Sequence, residues 1–205
     1  LPGLCPTGFL TLPLSQVGRH FSDQTATCRQ PLTRGSGSDG GFAEGAGSWG
    51  PNVTYLGRAG LIEIDGLKTA FLSGIYGERT FREAGDGKPR PAVGRRAGHY
   101  TPAELAKTRE ALAQGAHVLV AHDWPVGVSE ASRFGVSGDK NIRALIDRHQ
   151  PLLSLHGHMH RPESAVFGRT RVECLAIVGY RSGDPLAAVG IWDIDTDCGA
   201  VRRLA

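Results

Sequence analysis

The chain is short of several things, and each shortage removes a class of protein. No apolar run approaches the length needed to cross a bilayer, so a membrane-spanning helix is not expected. The four cysteines, Cys5, Cys28, Cys174 and Cys198, never fall in C-x-x-C spacing, which argues against both a zinc ribbon and a disulfide framework. Charge of one sign is scarce too: 23 Lys and Arg against 20 Asp and Glu leave +3, too little to argue for a nucleic-acid partner by itself. Methionine occurs once, at Met159, and the chain begins at Leu1, so it carries no initiator. The Leu/Pro-rich start has no basic n-region and no convincing cleavage site, and a cytoplasmic protein is expected.

Order is also missing from the first quarter of the sequence. Residues 1–48 show no sustained helical or strand period and contain clusters such as RGSGSDGG. Such a segment buries too little apolar surface to offset its ordering entropy, so a low-complexity, disordered leader is expected there. The remainder, 49–205, has the size of one domain. The whole chain's 40 % apolar and 21 % charged residues are ordinary for a soluble protein.

What is present is concentrated in two segments. Leu152–Pro162 reads LLSLHGHMHRP: an apolar strand running into histidines at alternate positions, His156, His158 and His160. Alternate residues of an extended chain point the same way, so a strand end carrying H-x-H aims two imidazoles at one spot. Imidazole is the commonest side-chain ligand of transition metals and is neutral near physiological pH. The second segment, HVLVAHDWPVG, has a continuous apolar run, Val118–Ala121, as expected of a strand covered on both faces. It ends at His122-Asp123-Trp124-Pro125, where proline forbids further ladder pairing. In open α/β folds ligands bind beyond the carboxyl ends of strands, so two strands that both end in histidine point to one shared metal site.

These residues resemble the histidine motifs of the calcineurin-like metallophosphoesterases, with Gly157–His160 matching G-H-x-H and the strand ending in His122 matching the motif before it. The run Pro51–Phe81, with SGIY inside it, followed by HDWP, is similar to the central segment of RNA lariat debranching enzymes and their bacterial relatives. The resemblance covers roughly Trp49 to Asp195. It implies the C-terminal part of a four-layer α-β-β-α sandwich and a site for two divalent ions (Mn, Fe or Zn), with His122 and His158 on one ion and His160 on the other. It also implies a phosphate-ester substrate, with nucleotides and RNA among the candidates.

The family's earlier motifs, D-x-H, G-D and G-N-H-[DE] in that order, are not found ahead of His122. His20 and Asp23 in RHFSD have the wrong order, and Gly37–Glu44 carries neither Asn nor His. By the resemblance, those motifs supply the bridging aspartate, most ligands of one metal and the catalytic histidine, so no catalytic residue is assigned; two ions belong to the complete family site, and one of them is what this chain's histidines alone could still hold. A truncated or frame-shifted sequence is favoured over a genuine leader, because order begins where the resemblance begins.

Around the histidines, Asp123 is expected to orient a ligand or the neighbouring backbone. Trp124 is weighed as a stacking ring against a packing role, and Arg161 as a phosphate partner against a surface arginine. His156 receives no assignment, with a structural role favoured; His99, His117 and His149 lack ligand spacing. The run Lys88-Pro89-Arg90…Arg95-Arg96 is weighed as a phosphate-binding loop against a solvated one. Three readings stand: a two-metal phosphoesterase represented by a fragment, an inactive metal-binding remnant or interaction module, and a mononuclear three-histidine zinc enzyme.

Expected elements follow from local signals. Short strands are read at Val53–Leu56, Leu61–Ile64 and Thr69–Ser73, the last two joined by an Asp65-Gly66 hairpin turn. A long polar loop is read at Gly77–His99. A helix starts at Thr101-Pro102-Ala103-Glu104 with capping-box spacing, and Gly115 stops it. A second helix spans about Lys140–His149, and later strands lie near Ala165–Phe167, Arg171–Ile177 and Ala187–Asp193. The order fits an α/β class.

Overall fold

A computed structural model describes residues 47–50, 53–91, 94–129, 138–177 and 188–204. The expected leader lies outside these residues except for its last two, which fall in strand β1 (Gly47–Gly50), paired antiparallel with β2 (Val53–Tyr55). The class is α/β. A six-stranded sheet holds β3 (Ala59–Ile64), β4 (Leu67–Leu72), β5 (Val118–Ala121), β6 (Leu153–His156), β7 (Glu163–Phe167) and β8 (Thr170–Cys174) in the order β3-β4-β5-β6-β8-β7. The central four strands run parallel, while β3 and β7 are antiparallel edges.

Local chemistry explains the elements. Asp65 and Gly66 both sit at positive φ, 50° and 81°, as a two-residue hairpin turn requires, and the ladder closes directly around them at Ile64↔Leu67. Helix α2 (Pro102–Ala113) begins with a complete capping box: Glu104 N–H donates to Thr101 Oγ1, and Thr101 N–H donates back to the Glu104 carboxylate. Gly115 at φ 78° ends it. Helix α3 (Lys140–His149) is capped by Asp139, whose carboxylate accepts from Asn141 N–H.

The stretch expected to be a loop, Gly77–His99, holds helix α1 (Glu78–Gly85) and a 3₁₀ turn, Arg95–Gly98. The Gly, Pro and Arg content of its second half hid the first. There, Glu78 suits a helix start, Arg79 and Glu83 pair one turn apart at 2.9 Å, and Phe81 packs on the core. The last expected strand also shifts: β9 is Trp192–Asp195, and it pairs with β10 (Ala200–Arg203) rather than joining the main sheet.

The apolar run of β5 serves two faces. Leu119 and Ala121 join Ala70, Leu72 and Val172 against Leu112, Ile142, Leu145 and Ile146 of α2 and α3. Val118, with Leu153 and Leu155, packs on the other face beneath Trp192, Ile194 and Val201 of the β9–β10 hairpin. Each fully buried Leu or Ile contributes about 1.5–3 kcal/mol of transfer free energy, so these two clusters hold the parallel strand ends in register. That register positions the site.

Candidate metal site at the carboxyl edge

Because β4, β5 and β6 are parallel, their carboxyl ends emerge along one edge. β4 continues into Ser73-Gly74-Ile75-Tyr76, β5 into His122-Asp123-Trp124-Pro125, and β6 into Gly157-His158-Met159-His160. The rings of His122 and His158 meet there edge to face, centroids 5.1 Å apart and planes inclined at 65°. Burial pushes His122 down to about 4, helped by the proximity of His158 and His160, and burial lowers His158 as well. Both imidazoles are therefore neutral at pH 7, the protonation state a metal ligand needs.

The loop after β6 is tightly wound. Met159 N–H donates to Gly157 C=O at 2.8 Å, closing a three-residue turn with His158 at its centre at φ 64°. Such turns of positive φ are rare and strained. Met159 packs against the main core, while His160, at φ 59°, is exposed. Among the described residues four non-glycine residues have positive φ: Asp65 in a hairpin turn, Gln150 at a left-handed helix C-cap, and these two histidines. Only the histidines lack a conformational reason to be there, and strain of this kind clusters at functional sites.

Asp123 lies beside the pair. Its Oδ2 accepts from Tyr76 N–H at 3.4 Å and its Oδ1 from Trp124 N–H at 2.9 Å, so the carboxylate ties the loop after β4 to the loop after β5. Burial raises it to about 6, with the nearby Asp139 adding to the effect and the two N–H groups opposing it. Asp139 itself, raised by burial, accepts from the Tyr100 hydroxyl and donates its own N–H to Trp124 C=O at 2.6 Å. Asn141 completes that cluster with a 3.0 Å bond to the Tyr100 oxygen.

Trp124 is a packing residue: it is 1 % exposed, part of the main core, and offers no ring face to a base. Arg161 donates to Ser129 Oγ at 2.8 Å, lies 3.7 Å from Glu163 and stands 5.4 Å from the Trp124 ring, so it straps the β6 loop to the β5 loop while remaining partly exposed. In the basic run, Arg90 is paired with Glu104 at 2.7 Å and Arg96 with Glu83, which commits both guanidinium groups to carboxylates of the fold. His99 bonds Thr80, and His117 accepts from Lys68 N–H.

Two contributors went unread in the sequence. Tyr100 and Asp139 are far apart in the chain and carry no motif. Ser154 and His156 left a signal, two polar residues at alternate positions of the apolar strand LSLH, which places both on one face.

Two imidazoles, His122 and His158, are the donors that meet at this edge, and imidazole suits Mn, Fe or Zn. Among the described residues, no three His, Cys, Asp or Glu side chains gather closely enough to hold a metal together. His122 and His158 thus form a pair of rings rather than a closed cluster, and His160, near enough to act on His122, lies on the exposed side of the turn.

No family model matches the chain. Curated proteins do, at low identity, and the matches agree with one another. The chain is similar to lariat debranching enzymes. It is 32 % identical over 82 residues to that of Mus musculus, covering 38 % of this chain and 15 % of that protein. The Arabidopsis thaliana enzyme is 30 % identical over 87 residues, covering 41 % and 21 %. That of Drosophila pseudoobscura pseudoobscura is 26 % identical over 133 residues, covering 56 % and 25 %. The matched stretches therefore span a quarter or less of these relatives' lengths. No described helix is long and apolar enough to cross a membrane.

Proposed function

We propose that this chain belongs to a metal-dependent hydrolase of phosphate esters, with a phosphodiester, including one within a nucleotide or RNA, as the favoured substrate. The observation that carries the reading is the meeting of the His122 and His158 rings at the carboxyl edge of a parallel sheet, where burial disfavours their protonation. The similarity to lariat debranching enzymes supports the same reaction class. His122 and His158 would hold one divalent ion and His160 a second; Mn, Fe and Zn all accept imidazole. Bound ions would supply an acidified water and charge neutralisation at the phosphoryl oxygens.

The chain's own residues prepare that site. Burial keeps the His122 and His158 lone pairs free of protons, Asp123 holds the loop after β4 in place, and Arg161 brings a cation to the same edge. A second reading, a metal-binding remnant without turnover, draws on the lack of a three-donor cluster among the described residues. The same lack weighs against a mononuclear three-histidine zinc enzyme.

The test is hydrolysis of bis(p-nitrophenyl) phosphate and of a 2′,5′-linked dinucleotide by the full chain with Mn²⁺, Fe²⁺ or Zn²⁺, against His158→Ala. Metal-dependent turnover above the variant is expected. Metal binding without turnover would move the conclusion to the remnant, and neither binding nor turnover would end both readings.

A further inference from the structure

His156 has no part in the proposed reaction, yet it is 3 % exposed and makes two hydrogen bonds from one ring at the end of β6. Its Nδ1 lies 2.7 Å from Asp123 C=O. A carbonyl oxygen only accepts, so Nδ1 carries the hydrogen. Nε2 then bears the lone pair and accepts from the Ser154 hydroxyl at 2.7 Å, which fixes a single neutral tautomer. The next residue continues the grip: Gly157 N–H donates to His122 C=O at 3.1 Å. Consecutive donors on the β6 end thus hold the consecutive carbonyls of His122 and Asp123.

The place of this grip matters. The β5–β6 ladder runs through Val118↔Leu153, Leu119↔Ser154 and Val120↔Leu155, and stops there. Beyond it the two chains part, β5 toward His122 and β6 toward the strained turn at His158. The His156 and Gly157 bonds are the link that carries the register past the last ladder pair to the two rings. The Gly157 bond is made by backbone and survives any side-chain change; the His156 bond is made by a ring that stands one residue from the turn.

We infer that His156 is a positioning residue whose Nδ1–H, through the Asp123 carbonyl, sets the spacing between the His122 and His158 rings. The inference rests on reading those rings as a ligand pair, although the spacing itself is measurable without metal. A merely structural histidine would be replaceable at a cost in stability alone. A positioning one is sensitive to which of its two nitrogens is imitated, because only Nδ1 faces Asp123.

Four variants of the full chain separate these. His156→Asn keeps an N–H near the Nδ1 position, His156→Gln reaches toward the Nε2 position, His156→Phe fills the ring volume without hydrogen bonds, and Ser154→Ala removes only the Nε2 partner. Three quantities are read for each: melting temperature, the proton NOE between the His122 and His158 rings in metal-free protein, and Co²⁺ affinity by optical titration. All four are expected to melt lower than the parent. The NOE is expected to persist in His156→Asn and Ser154→Ala and to vanish in His156→Gln and His156→Phe. Co²⁺ affinity should fall about 10–100-fold in the latter two only, the range seen when an outer partner of a metal ligand is lost.

Losses of NOE and affinity that simply follow melting temperature across all four would overturn the inference, as would an NOE retained in both His156→Gln and His156→Phe. Should His156→Phe fail to fold, the Gln and Asn pair decides alone. A parent that shows the NOE but binds no Co²⁺ would sink the proposed function, and the ring spacing would still judge His156.

Discussion

At Asp65-Gly66 and again at Gly157–His160 the chain leaves a strand through residues of positive φ, and the two places use opposite residue choices. Between β3 and β4 the φ values of 50° and 81° fall on Asp and Gly, the pair that such a turn selects, and ladder bonds close on both sides. After β6, φ values of 64° and 59° fall on His158 and His160, with no antiparallel partner to define the turn. Glycine would adopt that backbone at little steric cost, whereas a side chain in the left-handed region costs on the order of 1–2 kcal/mol. One turn is built from residues that favour its shape. The other keeps residues that resist it, which is what a demand for the side chains themselves looks like.

The largest expected effect comes from giving the second turn the residue its shape prefers. His158→Gly should weaken metal binding by more than about 100-fold, beyond the 10–100-fold typical of outer partners, because a donor itself is lost. The same change should raise the melting temperature, since it relieves the strained φ; the gain is about 0.5–1 kcal/mol after allowing for the freer unfolded chain. His158→Ala should lose metal equally and gain no stability. Calorimetric titration with Mn²⁺ or Zn²⁺ beside thermal denaturation reads both. A variant that loses metal and stability together would mean the turn is held for its fold, and the contrast with Asp65-Gly66 would collapse.

This contrast also marks what could be read from the sequence. The hairpin, the capping box of α2, the α3 boundaries and the histidine-ended strands all rest on signals within a few residues of each other, and they lie where they were expected. Helix α1 was hidden because its support is an ion pair and one packed Phe81 rather than an apolar stripe. The bracing of the edge by Tyr100 and Asp139 was hidden for a different reason, and for His156 the structural role was legible but its partner was not. Those contacts join residues more than thirty positions apart, and only the sheet order brings them together. Sequence spacing pointed to His122 and His158, whose rings the sheet brings together; it had no means of locating what holds them.

A smaller effect should separate the two regions by pH. Burial holds His156 down to about 4 from its ordinary 6.5, so the native state stays neutral while the unfolded chain takes up a proton. Its contribution is full above pH 6.5 and is lost as pH falls toward 4, with a slope of at most ~1.4 kcal/mol per pH unit for the one group. Asp123 works oppositely, since its pKa is raised from 3.8 to about 6, so its contribution is lost as pH rises through 6. That term is shared by parent and His156→Asn and cancels in their difference. The stability gap between the two proteins should therefore narrow as pH drops from 6.5 to 4 in metal-free buffer, measured by urea denaturation. A constant gap would show that His156 is not kept neutral by the fold.

The smallest effect belongs to the first turn and tests it in isolation. A Cβ built on Gly66 meets nothing within 4 Å, so Gly66→Ala acts through backbone strain alone. It should destabilise the protein by about 1 kcal/mol, the reverse in sign of His158→Gly, because here the shape was already matched by its residue. Its pH profile should parallel the parent's, since no titrating group is touched, and metal affinity should stay within error. The β3–β4 hairpin is an edge of the sheet, two strands from β6. If Gly66→Ala nonetheless weakened metal binding, the two turns would be mechanically joined through β4 and its loop to Asp123, and the division drawn between a turn chosen for shape and a turn kept for chemistry would not hold.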